Sequence, residues 1–206
     1  MTVEGGEGAG KSTQVGLLIT ALRQAGIRSQ RTREPGGSLG AEAIRHLLLE
    51  GDSERWDAES EALLLYAARR DHVTRTIRPA LDEGRWVVCD RFNDSTLAYQ
   101  GSGRGLPLDQ LEALQRFALG DFGPDLTLIL DISVEEGLAR AGRRSLITDR
   151  FERLHEEFHQ RLRDGFHRIA QKEPQRCALI DASGDVAAVH RAIVAAVAAR
   201  LGVALG

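Results

Sequence analysis

A glycine-rich segment near the start of the chain constrains the fold more than any other feature of the sequence. Residues 5–13 read Gly-Gly-Glu-Gly-Ala-Gly-Lys-Ser-Thr and fit the phosphate-loop pattern G-x-x-x-x-G-K-[ST]. Glycines let successive backbone N–H groups point toward one anion, because they lack the Cβ that forbids the required dihedral angles. The pattern predicts that Lys11 reaches the β- and γ-phosphates of a nucleotide and that the Ser12 hydroxyl ligates Mg²⁺. The predicted loop comprises Gly5, Gly6, Glu7, Gly8, Ala9, Gly10, Lys11, Ser12 and Thr13.

The segments around this loop indicate an α/β fold. Thr2 and Val3 form a short predicted strand before the loop, and an amphipathic helix follows it and ends at Gly26. Continuous apolar strands between helices favour a three-layer parallel β-sheet with helices on both faces, in one domain over residues 1–206. The polar segment 27–33 suits a strand only near an edge of the sheet. The other predicted strands cover 86–89, 126–130 and 177–180, and the other helices cover 39–50, 57–81, 108–119, 135–140, 150–171 and 186–201.

Composition and charge exclude several other classes of protein. The chain is 42% hydrophobic and 28% charged, which is ordinary globular usage, and its net charge of −3 predicts no general affinity for nucleic acid or membranes. No apolar run approaches the roughly 18 residues that a membrane span needs, and the first residues do not resemble a signal peptide. Cys89 and Cys177 lack metal-site spacing and favour a reducing compartment. We expect a soluble cytoplasmic protein.

Polar residues follow the predicted strands, at the edge where a parallel sheet binds ligands. Asp90 and Arg91 end the strand at 86–89, and Thr-Arg-Glu-Pro-Gly-Gly at 32–37 follows the edge strand. Asp90 suits a water-mediated contact to Mg²⁺, and the guanidinium of Arg91 suits a second anion. Taken alone, an Asp-Arg pair is more often a surface ion pair. Beside a phosphate loop, it predicts a site for two anionic groups.

A cluster of arginines falls between the helices predicted at 135–140 and 150–171. Arg140, Arg143 and Arg144 surround Ala141 and Gly142. Such a run is often a solvated face, but it also suits a lid that stabilises a transferring phosphoryl group and excludes water. We therefore predict a lid over residues 140–150. The chain has no Asn-Lys-x-Asp motif for reading guanine, which favours a small-molecule phosphotransferase over a GTPase.

Four motifs in order resemble those of bacterial thymidylate kinases. They are the loop at 5–13, Thr-Arg-Glu-Pro-Gly-Gly at 32–37, Asp-Arg-Phe-Asn-Asp-Ser-Thr-Leu-Ala-Tyr-Gln-Gly-Ser-Gly-Arg-Gly at 90–105, and Asp-Arg-Phe-Glu at 149–152. The resemblance runs to about Asp181. It implies that ATP, with Mg²⁺, phosphorylates thymidine monophosphate (dTMP) to the diphosphate. It also implies a homodimer, although the helix at 57–81 could equally pack on the sheet.

The resemblance also implies roles for individual residues. The phosphates would be held by Lys11, Arg91 and the lid arginines Arg140, Arg143 and Arg144, and the metal by Ser12 and Asp90. Which lid arginine reaches the γ-phosphate stays open. Glu7 corresponds to an acidic residue that holds the sugar 3′-hydroxyl. The implied dTMP site comprises Glu7, Glu34, Pro35, Arg45, Leu65, Tyr66, Arg69, Arg91, Thr96, Tyr99 and Gln100.

Within that set, the resemblance implies one arginine that hydrogen-bonds the thymine and one side chain that stacks on it, both on the helix predicted at 57–81. Counting back from His72 and Pro79, the arginine that hydrogen-bonds the thymine is Arg69 and not Arg70. The stacking position four residues earlier is Leu65. Tyr66 shares a helix face with Arg69 at spacing i, i+3, so it could take the stacking role or pack in the core.

Two other functions remain open at this point. The chain could be a kinase for another nucleotide or nucleoside on the same scaffold, or a non-catalytic ATP-binding regulatory protein. The run at 90–105 together with Arg69 favours the thymidylate kinase over the first alternative. The presence of Lys11, Ser12, Asp90 and Arg91 together argues against the second.

Overall fold

Five parallel strands form a single sheet in the computed structural model, which describes residues 1–52, 55–144 and 155–205 except for the side chains of Arg143 and Arg144. The strand order is β2-β3-β1-β4-β5, and every neighbouring pair is parallel. The predicted α/β class and parallel sheet are confirmed, and the polar strand β2 lies at an edge as predicted. The strands are β1 Thr2–Gly5, β2 Ser29–Arg33, β3 Trp86–Asp90, β4 Thr127–Asp131 and β5 Cys177–Asp181.

Helices cover both faces of this sheet. Successive strand side chains point to opposite faces, so Leu128 and Leu130 pack in one core with α1 and α9, while Ile129 between them packs in another with α8. This alternation confirms the three-layer architecture. The described ranges contain no helix with the length and apolar character needed to cross a bilayer. The helices are α1 Lys11–Gln24, α2 Leu39–Leu49, α3 Ala58–His72, α4 Arg78–Asp82, α5 Asn93–Thr96, α6 Leu108–Leu119, α7 Val134–Arg144, α8 Glu156–Lys172 and α9 Val186–Leu201.

The helix predicted over 57–81 is interrupted in the structure. Asp57 caps its start, because the carboxylate accepts a hydrogen bond from the Ser60 N–H at 2.7 Å. After α3 the hydrogen-bond register widens to a π-helix over Val73–Ile77 before α4 begins. The change falls just before Pro79, which has no N–H to donate to the preceding turn.

Residues 93–103, which lie outside all the predicted strands and helices, are helical. After the short helix α5, a π-helical segment spans Leu97–Gly103. Its Tyr99 and Gln100 are buried, although the surrounding glycines and polar residues are typical of an exposed turn. π-helical turns occur often at functional sites, since they re-aim side chains within a helix.

The predicted lid is partly helical as well. Helix α7 runs through Arg144. The expectation that residues 140–144 form a break between two helices was therefore wrong. Alanine and arginine favour helix, and the single Gly142 costs only about 1 kcal/mol against alanine. The rest of the predicted lid, 145–150, and the motif at 149–152 lie outside the described residues.

Candidate active site

A cavity of about 190 Å³ opens at the carboxyl ends of β1, β2 and β3. This is the edge at which parallel α/β sheets bind ligands. Outside the phosphate loop, all but two of the predicted site residues with described side chains line this cavity. The two exceptions are Tyr66 and Arg140. Those that do line it are Glu7, Gly8, Gly10, Lys11, Ser12, Glu34, Pro35, Arg45, Leu65, Arg69, Asp90, Arg91, Thr96, Tyr99 and Gln100.

The glycine-rich segment forms a tight loop between β1 and α1. Gly8 has φ +67°, and a Cβ there would lie 1.9 Å from the carbonyl oxygen of Gly137 on α7, so only glycine fits. The Lys11 Nζ lies inside the loop and donates to the carbonyl oxygens of Gly5 at 3.1 Å and Gly6 at 2.6 Å. Burial, together with the charge of Arg91, lowers the pKa of Lys11 to about 8.

Ser12 and Asp90 meet at the mouth of this loop. The Ser12 hydroxyl donates to Asp90 Oδ2 at 2.6 Å across the gap between α1 and β3. Mg²⁺ is commonly held by one or two protein ligands and completed by water and substrate phosphates. The part of the chain that is described contains no group of three or more His, Cys, Asp or Glu side chains that could hold a metal alone. A hydroxyl beside a carboxylate therefore fits Mg²⁺ bound together with a nucleotide.

Arg91 and Glu7 form an ion pair beside Lys11. Arg91 Nη2 lies 2.8 Å from Glu7 Oε1, its guanidinium stacks 4.9 Å from the centre of the Tyr99 ring, and the Tyr99 hydroxyl donates to Glu7. Burial acts to raise the pKa of Glu7, but the charges of Arg91 and Lys11 outweigh it and hold the value at about 2. At φ 71°, Arg91 is the one non-glycine residue of the described chain with a left-handed backbone. Lys11 and Arg91 are thus positively charged, and Glu7 is negatively charged, at neutral pH.

Glu4, which the sequence analysis did not single out, helps to position Arg91 through hydrogen bonds to its neighbours. It is fully buried in β1, and its carboxylate accepts hydrogen bonds from the Phe92 N–H at 2.7 Å and the Ser95 hydroxyl at 2.5 Å. The Ser95 oxygen in turn accepts from Arg91 Nη1 at 3.1 Å. A charged residue inside a central strand was the available signal, because buried polar groups require partners.

The pH dependence of stability tests the environment of Glu4. Burial and the charge of Asp94, opposed only in part by Arg91, raise the pKa of Glu4 to about 8 from an ordinary value of 4.5. A carboxyl whose pKa is raised by folding contributes stability that is complete below 4.5 and is lost as the pH rises through about 8. The free energy of unfolding of Glu4→Gln should therefore fall less than that of the wild type between about pH 5 and pH 9.

Urea unfolding of both proteins across that pH range measures the difference. The variant amide keeps an oxygen for the Phe92 N–H and offers Ser95 a donor, so it stands in for the protonated carboxyl. Parallel pH profiles for the two proteins would contradict the raised pKa.

At the far end of the cavity, Arg69 is held in a fixed orientation. It is 2% exposed, and its Nε donates to Glu34 Oε2 at 2.7 Å while its Nη2 donates to Thr96 Oγ1 at 2.9 Å. Its Nη1 lies 3.3 Å from Asn93 Oδ1. Burying this charge is possible because the Glu34 carboxylate pairs with it and other oxygen atoms accept most of its remaining N–H groups.

Glu34 is oriented in turn by a second buried group. Its Oε1 lies 3.0 Å from His72 Nδ1, and His72 Nε2 lies 2.6 Å from Thr32 Oγ1. The Glu34–Pro35 peptide bond is cis, and the Pro35 carbonyl accepts from Arg45 Nη1 at 2.7 Å. The turn at 32–37 therefore positions Arg69 and Arg45 at the same cavity.

The two candidates for stacking on a base occupy different environments. Leu65 lines the cavity, whereas Tyr66 is 3% exposed in the core between α3 and α6. The Tyr66 hydroxyl lies 2.8 Å from Asn93 Oδ1 and 3.0 Å from the Leu111 carbonyl oxygen. Tyr66 therefore packs in the core, and Phe92 is an aromatic ring at the cavity that the sequence analysis missed.

Gln100 faces the cavity from the π-helical segment with one end of its amide engaged. Its Nε2 donates to Glu61 Oε2 at 3.0 Å, whereas its buried Oε1 has no hydrogen-bond partner among the described residues. Buried acceptors are nearly always paired, so an unpaired one at a cavity indicates a ligand donor.

Arg140, which was predicted for the lid, does not join this cluster in the described structure. Arg140 donates to the carbonyl oxygens of Ala182 and Ser183, each at 2.9 Å, and pairs with Glu136 one turn earlier on α7. It therefore lies over the end of β5. The side chains of Arg143 and Arg144 lie outside the described residues, and a contact of these arginines with phosphate stays a prediction.

Comparisons with known proteins agree with this geometry. The family described as "Thymidylate kinase" matches residues 3–193. A thymidylate kinase of Bradyrhizobium sp. (strain ORS 278) is 55% identical over 98% of this chain and 90% of its own, and one of Rhizorhabdus wittichii is 51% identical over 96% of each. The crystal structure of thymidylate kinase from Ehrlichia chaffeensis superposes with a TM-score of 0.77 at 34% identity, over 95% of this chain and 96% of that one. The chain belongs to the thymidylate kinase family.

Proposed function

We propose that this phosphotransferase transfers the γ-phosphoryl group of ATP to dTMP, giving ADP and thymidine diphosphate for DNA synthesis. The observation that carries the proposal is the joining of two kinds of site in one cavity. Lys11 and Arg91 supply positive charge at the end formed by the phosphate loop, and Arg69 and Gln100 present a hydrogen-bond donor and acceptor at the other. The similarity to named thymidylate kinases supports the same conclusion.

The chemistry requires positioning more than covalent participation. The acceptor phosphate is already an anionic nucleophile, so no general base is needed, and the physical problem is the repulsion between two phosphates. Lys11 and Arg91 offset this repulsion in a buried setting, where charges interact more strongly than in water. We assign Arg45 to the acceptor phosphate and Arg140, Arg143 and Arg144 to a lid over the transferring group.

Ser12 and Asp90 are the residues that would hold Mg²⁺. When bound, the metal neutralises charge on the β- and γ-phosphate oxygens. Their hydrogen bond holds a hydroxyl oxygen of the phosphate loop 2.6 Å from a carboxylate oxygen at the end of β3.

Thymine matches the groups at the other end of the cavity. Arg69 uses four of its five N–H donors on Glu34, Asn93, Thr96 and the Phe92 carbonyl within the described chain, which leaves one Nη1 hydrogen for a base carbonyl. The Gln100 Oε1 suits the thymine N3–H. Leu65 supplies an apolar surface for the ring. We assign Glu7 to the sugar 3′-hydroxyl and Tyr99 to the wall beside the sugar 2′ position.

Coupled measurement of ADP release tests the proposal, with MgATP and the deoxynucleoside monophosphates of thymine, uracil, cytosine, adenine and guanine. We expect fast turnover with the thymine compound and weaker turnover with the uracil compound. Preference for another monophosphate would keep the phosphate chemistry and overturn the roles of Arg69 and Gln100. No turnover with any of the five, in a folded protein that binds ATP, would favour the regulatory alternative.

We further propose that the protein is a single-domain, cytoplasmic homodimer. Leu63 on α3 and Phe117 on α6 are exposed apolar side chains, at 58% and 91%, on two helices that pack against each other. Burying them in a second copy would remove apolar surface from water. The mass in solution measures this, and we expect twice the 22.5 kDa of one chain.

A further inference from the structure

We infer that Glu61, which lies outside the cavity, makes the site select pyrimidine bases that carry a hydrogen on N3. It does so by fixing which end of the Gln100 amide faces the ligand. The inference rests on the proposed function, in that dTMP is taken as the acceptor. Glu61 is therefore a positioning residue for specificity, and it need not touch the substrate.

Three side chains form a relay toward the cavity, of which Glu61 and Gln100 are buried and Arg104 is 15% exposed. Arg104 Nη2 donates to Glu61 Oε1 at 2.8 Å, and Gln100 Nε2 donates to Glu61 Oε2 at 3.0 Å. Glu61 is fully buried on α3, while Gln100 and Arg104 lie four residues apart at the π-helical segment. A guanidinium can only donate and a carboxylate can only accept, so the direction of every hydrogen bond in the relay is fixed.

The relay determines the orientation of the Gln100 amide. With its NH₂ group committed to Glu61, the amide presents its carbonyl oxygen to the cavity, where that oxygen has no partner in the described part of the chain. A flipped amide would bring its oxygen against the Glu61 carboxylate, and the repulsion between them is strong in a buried setting. The Gln100 Oε1 is thus a hydrogen-bond acceptor that a donor on the ligand would satisfy.

Pyrimidine bases differ at the atom that would meet this acceptor. Thymine and uracil carry a hydrogen on N3, whereas N3 of cytosine is a lone pair that would face the Gln100 oxygen without a hydrogen between them. A site that leaves a buried polar group unpaired rejects the wrong ligand strongly. Glu61 therefore sets the preference for thymine over cytosine indirectly, through the orientation of the Gln100 amide.

Glu61→Gln tests this, because it is nearly isosteric and reverses the relay. The Arg104 guanidinium can only donate, so the new amide turns its carbonyl to Arg104 and its NH₂ group to Gln100. Gln100 then presents its own NH₂ group to the cavity. We expect the ratio of dTMP to dCMP affinity, measured by calorimetry on the full chain, to fall roughly 10- to 100-fold, with ATP affinity unchanged.

Three controls isolate the relay from a general loss of structure. Glu59→Gln, an exposed change on the same helix, should leave the ratio unchanged. In a Gln100→Leu background, Glu61→Gln should also leave it unchanged, because the effect passes through the Gln100 amide. An unchanged ratio in folded Glu61→Gln overturns the inference, whereas a wild-type protein that does not bind dTMP overturns the proposed function.

The double variant Glu61→Met/Arg104→Met provides a second route if Glu61→Gln does not fold. Replacing both partners of an ion pair by apolar groups can be nearly neutral for stability, and it removes the acceptor that fixes the Gln100 amide. We expect the ratio of dTMP to dCMP affinity to fall, because either end of the amide can then face the cavity. A wild-type ratio in the folded double variant would overturn the inference.

Discussion

Replacing Lys11 by alanine should lower turnover of dTMP with MgATP by roughly 10³-fold while the protein stays folded. The Lys11 ammonium is held inside the phosphate loop by two carbonyl oxygens, within reach of the Arg91 and Glu7 pair. Removing it takes away positive charge at the point where the transferring group develops charge, and in a buried site water does not replace it. Coupled ADP release measures the loss, and circular dichroism confirms the fold.

The chain supplies a matched control, because its 27 basic residues include only two lysines. Lys172 ends α8, has a side chain that is 71% exposed, and pairs with Glu112 at 3.1 Å. Exposed pairs of this kind contribute about 0–1 kcal/mol, so Lys172→Ala should leave turnover and stability nearly unchanged. Wild-type turnover in Lys11→Ala would remove the lysine from the mechanism.

Replacing Arg69 by methionine should cost about 3–5 kcal/mol in the free energy of unfolding and abolish detectable dTMP binding. Methionine fills much of the same volume, but it leaves the buried Glu34 carboxylate with His72 as its remaining side-chain partner among the described residues. The stability loss follows from that unpaired charge, and the binding loss follows from removal of the donor proposed for the base carbonyl. Urea unfolding and calorimetric titration with dTMP measure the two effects separately.

The adjacent arginine provides the comparison. Arg70 is exposed and makes a single hydrogen bond of 3.1 Å to the Ala118 carbonyl oxygen among those described. Arg70→Met should therefore cost less than about 1 kcal/mol and leave dTMP affinity intact. If the two variants behaved alike, the assignment of base recognition to Arg69 would be wrong.

Features whose chemistry is local could be predicted from the sequence. The loop at 5–13 requires glycine, lysine and a hydroxyl at fixed spacing, and Asp90 follows an apolar strand whose end must lie beside that loop. The polar strand β2 could occupy only an edge, because a central strand with those side chains would bury them without partners.

Features that depend on distant partners could not be predicted in the same way. Helical spacing places Leu65 and Tyr66 next to each other, but Asn93 and Leu111 decide which one turns to the core. Residues 93–103 have a turn-like composition and become helical because they are enclosed between α3, α6 and α8. Glu61 looks like an ordinary helix-surface glutamate, and only the approach of Gln100 and Arg104 shows that it is buried.

The left-handed backbone of Arg91 gives this position two opposing effects on stability. At φ 71° any side chain with a Cβ costs roughly 1–2 kcal/mol, which glycine would relieve. Glycine would also remove the guanidinium that lies 2.8 Å from Glu7 and leave that largely buried carboxylate without its partner, a loss of up to about 3–5 kcal/mol. Natural selection for stability and selection for the proposed phosphate chemistry therefore favour the same arginine at position 91, despite its strained backbone.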